Sequence, residues 1–190
     1  TKTLYLYNYN IMERNNKFRP PKIKRKDVVL HPIYSRGLIS RTIVLPMTAI
    51  NSRLKETIEI AVSNQFEGKC VVEGYIKKGS SVIISYSSGL IQRGNIISFE
   101  VVFECEICFP VENMIFNCVA KNITKAGIRA ESSIENPTPI VVFVAKDHHY
   151  NDEYFAEVKE GDVIQVRVIG QRFELNDKYI SIIGELIKQK

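Results

Sequence analysis

The order of apolar and polar positions predicts one long helix in the first half of the chain. Apolar residues recur at helical spacing from Ile50 to Ala61, and charged residues lie between them. This spacing predicts a helix that ends near Gln65. Thr48 or Asn51 is the expected N-terminal cap, because a short polar side chain there accepts a hydrogen bond from the first turn.

Short apolar runs on both sides of this helix predict strands. Before the helix, residues 28–34 form one run that Pro32 ends, and residues 42–46 form a second run that also ends in a proline. The β-rich runs after the helix are Cys70–Ile76, Val82–Tyr86 and Ile96–Ile107. One helix followed by an antiparallel sheet predicts a compact α+β domain.

The pattern breaks at Phe109-Pro110, where we expect a domain boundary without a flexible linker. The β-rich runs beyond it are Met114–Lys121, Gly127–Glu131, Ile140–Lys146, Asp162–Ile169 and Tyr179–Leu186. A short helix or loop, Asn151–Val158, follows the third run. Five short strands with this insert predict an all-β, five-stranded barrel of the OB type. The expected division is therefore an arm at 1–26, an α+β domain at 27–109 and a barrel at 110–190.

The positive charge of the chain is concentrated near its N-terminus. The net charge is +5, and residues 13–26 hold seven basic residues against one acidic residue, a net +6, so the remainder carries −1. Pro20-Pro21 bars a helix in this segment. We interpret residues 1–26 as an extended basic arm. It is either a solvated tail or a segment that lies on an acidic partner or on nucleic-acid phosphates.

The composition indicates a folded, soluble and intracellular protein. The hydrophobic fraction of 45% suffices for a packed core, and the sequence has neither an apolar run of membrane-spanning length nor a signal-peptide pattern. The four cysteines are therefore expected to be reduced. Cys105 and Cys108 have the spacing of half a zinc site, but residues i and i+3 of a strand point to opposite faces. Buried thiols are the favoured interpretation, and we expect neither a metal nor a cofactor.

The segment Lys146-Asp147-His148-His149-Tyr150 is the most chemically dense part of the chain. Its two histidines beside an aspartate suggest metal binding or acid–base chemistry. However, the sequence contains no nucleophile motif, phosphate-binding loop or second carboxylate cluster to accompany them. The sequence therefore favours a protein that is not an enzyme.

Two ordered series of short motifs carry a resemblance to a known family. The first series is Leu30-His31-Pro32-x-Tyr34-x-x-Gly37, a helix, Glu67-Gly68-x-Cys70, Gly74-Tyr75-Ile76, Phe99-Glu100-Val101 and Pro110. The second is Gly161-Asp162-x-Ile164-x-Val166-Arg167-Val168-Ile169-Gly170-x-Arg172, followed by Ile182-Ile183-Gly184. Together they resemble the stalk subunit of multisubunit RNA polymerases, which is the seventh-largest subunit of eukaryotic RNA polymerase II and has an archaeal counterpart known as E prime. The resemblance covers residues 25–187.

The chain departs from that family in three places. Residues 1–24 precede the usual start, Asn113 stands where the family has a glycine, and the loop between Ile76 and Gly94 is slightly short. Isoleucine, lysine and asparagine are common, which indicates an AT-rich genome. A divergent version with an added arm suggests a large DNA virus as the source, with AT-rich protists as the alternative.

The resemblance implies two contact surfaces. Polymerase contacts are expected on loops of the α+β domain, and by position the residues are His31, Tyr34, Lys77, Lys78, Tyr86 and Leu90. Solvated turns are the alternative reading of these loops. RNA contacts are expected on the barrel at Lys121, Lys125, Arg129, Lys146, His148, Tyr150, Arg172, Phe173 and Tyr179. Since the barrel also carries many acidic residues, we expect weak, salt-sensitive and sequence-tolerant RNA binding.

The function that the resemblance implies is that of a non-catalytic stalk subunit of a DNA-directed RNA polymerase. Its implied partners are the large polymerase subunits, a second stalk subunit and nascent RNA. No contact with a membrane is expected. Such a protein would lie in the nucleus of a cell, or in the host cytoplasm or virion for a virus. The alternatives are a free-standing OB-fold RNA-binding factor in translation or RNA decay, and an enzyme that uses His148 and His149.

Overall fold

The structure, a computed structural model, describes residues 30–132, 137–149 and 153–188. The predicted basic arm at 1–26 lies outside these residues, and so does Tyr150. The predicted fold class is confirmed, because one helix with an antiparallel sheet is followed by a closed five-stranded barrel.

The first half of the described chain is a six-stranded antiparallel sheet with one helix. The elements are β1 (Tyr34–Pro46), a 3-10 turn (Met47–Ala49), α1 (Leu54–Phe66), β2 (Cys70–Val71), β3 (Gly74–Ile76), β4 (Val82–Tyr86), β5 (Leu90–Gln92) and β6 (Ile96–Cys108). Strand β6 is central: β1 pairs with one of its edges, and β3, β4 and β5 pair along the other. Helix α1 covers one face of the sheet with the buried side chains of Ile58 and Val62.

The run predicted at 42–46 forms the second half of a longer strand, whereas the strand predicted at 28–34 was wrong for the residues that the structure describes. A single strand, β1, extends from Tyr34 to Pro46 and pairs with β6 over its whole length, and Pro32 precedes it. The full length of this strand was not apparent from the sequence. One of its faces is exposed, and the polar residues on that face interrupt the apolar pattern. Gly37 continues the strand without a side chain, since a Cβ there would lie 2.6 Å from Ile107 Cδ1.

The predicted cap of the helix was also wrong, although its end near Gln65 is confirmed within one residue. Helix α1 begins at Leu54, and Arg53 precedes it without a side-chain hydrogen bond. Thr48 lies in the 3-10 turn instead. The Asn51 side chain accepts a hydrogen bond from the Arg53 N–H at 2.8 Å, so it stabilises the turn before the helix.

The barrel consists of five strands with the order and direction of an OB fold. They are β7 (Ile115–Ile123), β8 (Gly127–Ser132), β9 (Ile140–Ala145), β10 (Val163–Arg172) and β11 (Ile180–Ile187). The sheet closes in the order β10-β11-β9-β8-β7, with β9 and β11 parallel and the other pairs antiparallel. A 3-10 turn (Lys146–His149) and the short helix α2 (Glu153–Glu157) follow β9. Helix α2 lies within the segment Asn151–Val158, where a short helix or loop was predicted.

Three neighbouring strands of the first half contribute to two hydrophobic cores at once. In β3, Tyr75 packs into the barrel core and Ile76 into the core beneath α1. Strands β2 and β6 divide their residues in the same way, through Cys70 and Val71 and through Cys108 and Ile107. Successive strand residues point to opposite faces, so this part of the sheet lies between both cores.

Backbone hydrogen bonds reinforce this joint. The Cys70 N–H donates to the carbonyl of Asp177 at 2.8 Å, and the Asn176 N–H donates to the carbonyl of Cys70 at 2.9 Å. On another side of the joint, the His31 N–H donates to the carbonyl of Ile115 at 3.0 Å. The domain boundary at Phe109-Pro110 stays a prediction, but the residues on its two sides are tightly connected. Neither helix of the described ranges has the length and apolar character of a membrane-spanning helix.

Candidate docking and nucleic-acid surfaces

The structure separates the predicted polymerase-contact residues into two groups at opposite ends of β6. The backbone of Lys77 bonds to Glu106, whereas Leu90 pairs with Ser98. Eight strand residues span roughly 26 Å. The two groups therefore form separate surfaces.

The group near the joint is largely occupied by internal contacts. The Lys77 ammonium lies 2.6 Å from the Glu106 carboxylate and 4.9 Å from the ring centroid of Tyr34. The Nδ1 atom of His31 accepts a hydrogen bond from the Ile115 N–H at 3.3 Å. The side chains of this group thus make contacts within the molecule, namely Lys77, Tyr34 and His31. Lys78 is exposed on the turn beside them.

The other group belongs to an apolar surface at the far end of the sheet, which we call the tip surface. Its exposed members are Val44, Met47, Tyr86, Leu90 and Ile91, and Leu90 and Ile91 are 67% and 69% exposed. Val44 and Leu90 flank Ser98 from the two neighbouring strands. The prediction included Tyr86 and Leu90 and missed Val44, Met47 and Ile91. By register, Val44 and Leu90 lie on the face opposite α1, whereas Tyr86 and Ile91 lie on the α1 face, so the exposed apolar residues surround this end of the sheet. Exposed apolar residues grouped in this way mark interaction sites.

A carboxylate fixes the turn that carries Lys78. Glu67, just after α1, accepts hydrogen bonds from the N–H groups of Gly79 (2.7 Å) and Ser81 (2.9 Å) and from the Ser63 hydroxyl (2.7 Å). Burial alone would raise the pKa of this carboxyl, but these hydrogen bonds to its charged form hold the pKa below its ordinary value of 4.5. The turn is therefore held to the helix by a charged group.

We expect Glu67→Gln to lower the free energy of unfolding at neutral pH by roughly 1 kcal/mol, because the site is partly solvated. A depressed pKa stabilises the fold above the ordinary value of 4.5, and this contribution is lost as the pH falls through the folded-state pKa. Denaturant unfolding at about pH 7 and about pH 3 measures the difference. Glu59→Gln, which removes an exposed pair with Lys55 on the same helix, is the matched control. An equal loss at both pH values would show that the charge of Glu67 is not the cause.

The structure places the predicted RNA-contact residues at both ends of the barrel and on its wall. Lys121, Lys125, Lys146 and His148 lie at the end distant from the joint, where the Lys146 N–H bonds to the carbonyl of Ala126 at 3.0 Å. All four side chains are exposed, and Lys121 lies at a bulge of β7. These residues form one cluster, which we call the distal basic cluster.

Arg172, Phe173 and Tyr179 lie at the opposite end, beside the joint. The length of the strands separates them from the distal basic cluster by roughly 20 Å. Phe173 is partly buried against the barrel core and meets Phe109 edge to face, with 6.2 Å between the ring centroids. Arg172 pairs with Glu174 at 3.2 Å, and Tyr179 is 43% exposed. Phe173 is therefore mainly a packing residue of the joint.

The barrel wall between the two ends exposes an aromatic ring that the sequence did not reveal. Phe143 on β9 lies opposite Arg129 on β8 and opposite Ile183 on β11. Phe143 is 39% exposed and Ile183 is 51% exposed, and Arg129 pairs with Glu131 at 2.9 Å. In the OB fold, the face of the second and third strands binds oligonucleotides. Arg129 and Phe143 occupy that face.

The histidines and cysteines are not arranged as a reactive site. His149 is buried, accepts a hydrogen bond from the Leu186 N–H at 3.1 Å and stacks on Phe155, whereas His148 is exposed. Cys105 lies in the core beneath α1 and Cys108 in the barrel core. Burial, together with nearby carboxylates, raises the pKa of the Cys105 thiol to about 11. Within the described ranges, no three histidine, cysteine or acidic side chains are grouped to hold a metal ion.

Comparison with known proteins gives one informative similarity. The chain is 28% identical over 120 residues to the protein described as "Putative DNA-directed RNA polymerase subunit L376" of Acanthamoeba polyphaga mimivirus. The match covers 55% of this chain and 58% of the length of that protein. No protein-family model matches the chain.

Proposed function

We propose that this chain is a non-catalytic accessory subunit of a DNA-directed RNA polymerase, with the position of a stalk subunit. The observation that carries the proposal is the similarity to a viral polymerase subunit. The fold supports it, because an α+β domain followed by an OB-type barrel is the architecture that the resemblance to stalk subunits implies. The proposed partners are the large polymerase subunits and, by the same resemblance, a second stalk subunit. A viral source would place the protein in the host cytoplasm or the virion.

The tip surface is the proposed site of docking on the polymerase. It exposes aliphatic and aromatic side chains at the end of the sheet that lies farthest from the barrel. Large apolar residues are the usual energetic centres of protein interfaces when a partner excludes water from them. Docking through this end would leave the barrel projecting away from the polymerase body.

The barrel is proposed to contact emerging RNA through two neighbouring features. Phe143 offers a face for base stacking, and Arg129 and the distal basic cluster offer positive charge for phosphates. Asp147 and Glu153 lie close to the cluster along the chain, and Glu160 accepts a hydrogen bond from the Ile123 N–H at 3.3 Å, so acidic side chains limit the net charge of the cluster. Binding should therefore be weak and strongly dependent on salt.

We expect Phe143→Ala to weaken the binding of a single-stranded RNA oligonucleotide about tenfold, since one base–aromatic stack contributes on the order of 1–3 kcal/mol. Fluorescence anisotropy at low salt measures the change. Tyr86→Ala, which removes a similarly exposed aromatic side chain from the tip surface, is the matched control and should bind RNA as the unmodified protein does. Equal affinities for the Phe143→Ala variant and the unmodified protein would remove RNA contact at this face from the proposal.

A free-standing RNA-binding factor is the second candidate function. It predicts that the first domain has no large apolar contact surface, and the tip surface argues against it. An enzyme that uses His148 and His149 is disfavoured by the burial and hydrogen bond of His149, which leave its ring in the protein interior.

Co-purification tests the proposed function directly. A tagged copy of the chain, expressed in its source and isolated at moderate salt, should bring the large polymerase subunits with it in stoichiometric amounts. Mass spectrometry identifies them. Isolation of the tagged chain without any polymerase subunit would overturn the proposal and favour the free-standing factor.

A further inference from the structure

Strand β1 has a long edge that no other described strand occupies. It pairs with β6 through all thirteen residues from Tyr34 to Pro46, and β6 is its sole partner among the described strands. Proteins usually shorten, cover or charge such edges, because unpaired N–H and C=O groups accept strands from other chains. An open edge of this length is therefore a candidate binding site.

The hydrogen-bond register shows which backbone groups face the open side. The Met47 N–H donates to the carbonyl of Asn95 at 2.9 Å, and this pair continues the β1–β6 ladder by one residue. Antiparallel pairing alternates, so the odd-numbered residues of β1 bond to β6. The N–H and C=O groups of Arg36, Leu38, Thr42 and Val44 consequently point to the open side.

Two residues show how the edge is delimited. Pro46 has an even number, so its missing N–H falls on the open side, where a proline is tolerated and ends strand addition. The Arg41 guanidinium donates to the Ser40 carbonyl at 2.9 Å and binds Glu73 at 2.6 Å. That contact satisfies one edge carbonyl, and no described strand pairs with the edge N–H groups of the even-numbered residues from 36 to 44.

The side chains beside the edge indicate the chemistry of the segment that would fit. On the face opposite α1, Leu38 is 67% exposed and Val44 is 45% exposed, and Ser40 and Thr42 between them are uncharged. Arg36, whose side chain is 79% exposed, is the basic residue at the end near the joint. Its pair with Glu104 at 3.5 Å is mostly solvated and contributes little.

We propose that β1 binds an extended segment of a polymerase subunit, which adds a strand to the sheet. The segment places apolar side chains over Leu38 and Val44 and an acidic side chain near Arg36. This inference rests on the proposed docking to polymerase and deepens it, since Val44 belongs to both the edge and the tip surface. Strand addition supplies main-chain hydrogen bonds, and the flanking side chains select the sequence.

Thr42→Pro tests the edge without removing a bond within the sheet. Its N–H is on the open side, and Pro46 shows that β1 accepts proline in this register. We expect binding of the full chain to core polymerase from the same source to weaken about tenfold or more, because at least one interstrand bond is lost and the ring obstructs the added strand. Thr42→Val, which keeps the N–H, should bind as the unmodified chain does. Thermal unfolding checks that both variants are folded.

Amide hydrogen exchange gives a second measurement that does not depend on a variant. The amides of Leu38, Thr42 and Val44 should exchange fast in the free chain and slowly in the complex, while those of Ile39 and Ile43 are protected in both. Protection of the even-numbered amides in the free chain would mean that another part of the same chain covers the edge. Protection that rises with protein concentration would mean that a second copy does. Either result would overturn the inference.

The outcomes also separate this inference from the proposed function. If the unmodified chain does not bind the polymerase, the proposed function fails and the inference fails with it. If the chain binds but the even-numbered amides stay exposed in the complex and Thr42→Pro binds normally, docking stands and strand addition is refuted.

Discussion

Replacement of Tyr75 by alanine is expected to lower the free energy of unfolding by about 3–5 kcal/mol and to destabilise both halves of the chain together. Tyr75 is 2% exposed and packs into the barrel core from a strand of the first half. Its neighbour Ile76 packs into the other core, so the cavity left by alanine lies where the two cores meet. The loss of packing at this place therefore destabilises both cores.

Denaturant unfolding followed by far-ultraviolet circular dichroism and by tyrosine fluorescence measures this effect. Both probes should report one transition at the same shifted midpoint, because cooperative units that share a core unfold together. Tyr86→Ala is the matched control: its ring is 41% exposed and meets Phe99 only at an edge, so the loss should be about 1 kcal/mol. Two separate transitions, with only the first-half transition shifted, would show that the halves are independent domains.

The second large effect is expected at the tip surface. The double substitution Leu90→Ser and Ile91→Ser should weaken binding to core polymerase about a hundredfold, because each side chain contributes on the order of 1.5–3 kcal/mol when a partner buries it. Both side chains are already exposed, at 67% and 69%, so the free energy of unfolding should change little. Surface plasmon resonance with immobilised polymerase and thermal unfolding give the two quantities.

Ile60→Ser is the matched control for the tip surface. Ile60 is 63% exposed on α1 and lines a surface depression with Glu67 and Ser81, toward the other end of β6. It should bind polymerase as the unmodified chain does. Equal losses for Ile60→Ser and the tip variant would indicate a general effect of surface hydrophobicity. An unchanged affinity for the tip variant, with wild-type binding intact, would move the docking site elsewhere.

Local patterns sufficed for most elements of the fold. The helix was recognised because Ile50, Leu54, Ile58 and Ala61 recur at helical spacing, and Leu54, Ile58 and Ala61 pack against the core beneath the helix. The barrel strands were recognised as β-rich runs, and in the structure Val142 and Val144, like Val166 and Val168, alternate toward the core. Phe143 was not predicted as a contact residue. Strand β9 carries apolar residues on both of its faces, and such a run does not show which face is exposed to solvent.

The sequence did not show which of the predicted contact residues have partners within the molecule. Lys77 and His31 were predicted as contact residues because the resemblance places polymerase contacts on the loops at their positions, yet both side chains make contacts within the molecule. Phe173 was predicted to stack on bases, and it packs against Phe109. Each side chain met its partner through a contact between segments more than twenty-five residues apart in the chain, and no local pattern records such a pairing.

The sequence by itself determined the two-part architecture, the helix of the first half and the five barrel strands, because the pattern of apolar and polar residues is a local property of each segment. Only the tertiary structure decided that β1 is one long strand with an open edge, that the apolar residues of the tip surface gather at one end of the sheet, and that Arg129 and Phe143 stand side by side. These features depend on strand register and on pairing between distant segments. Register is set by how all the strands pack at once, so it exists only in the folded molecule.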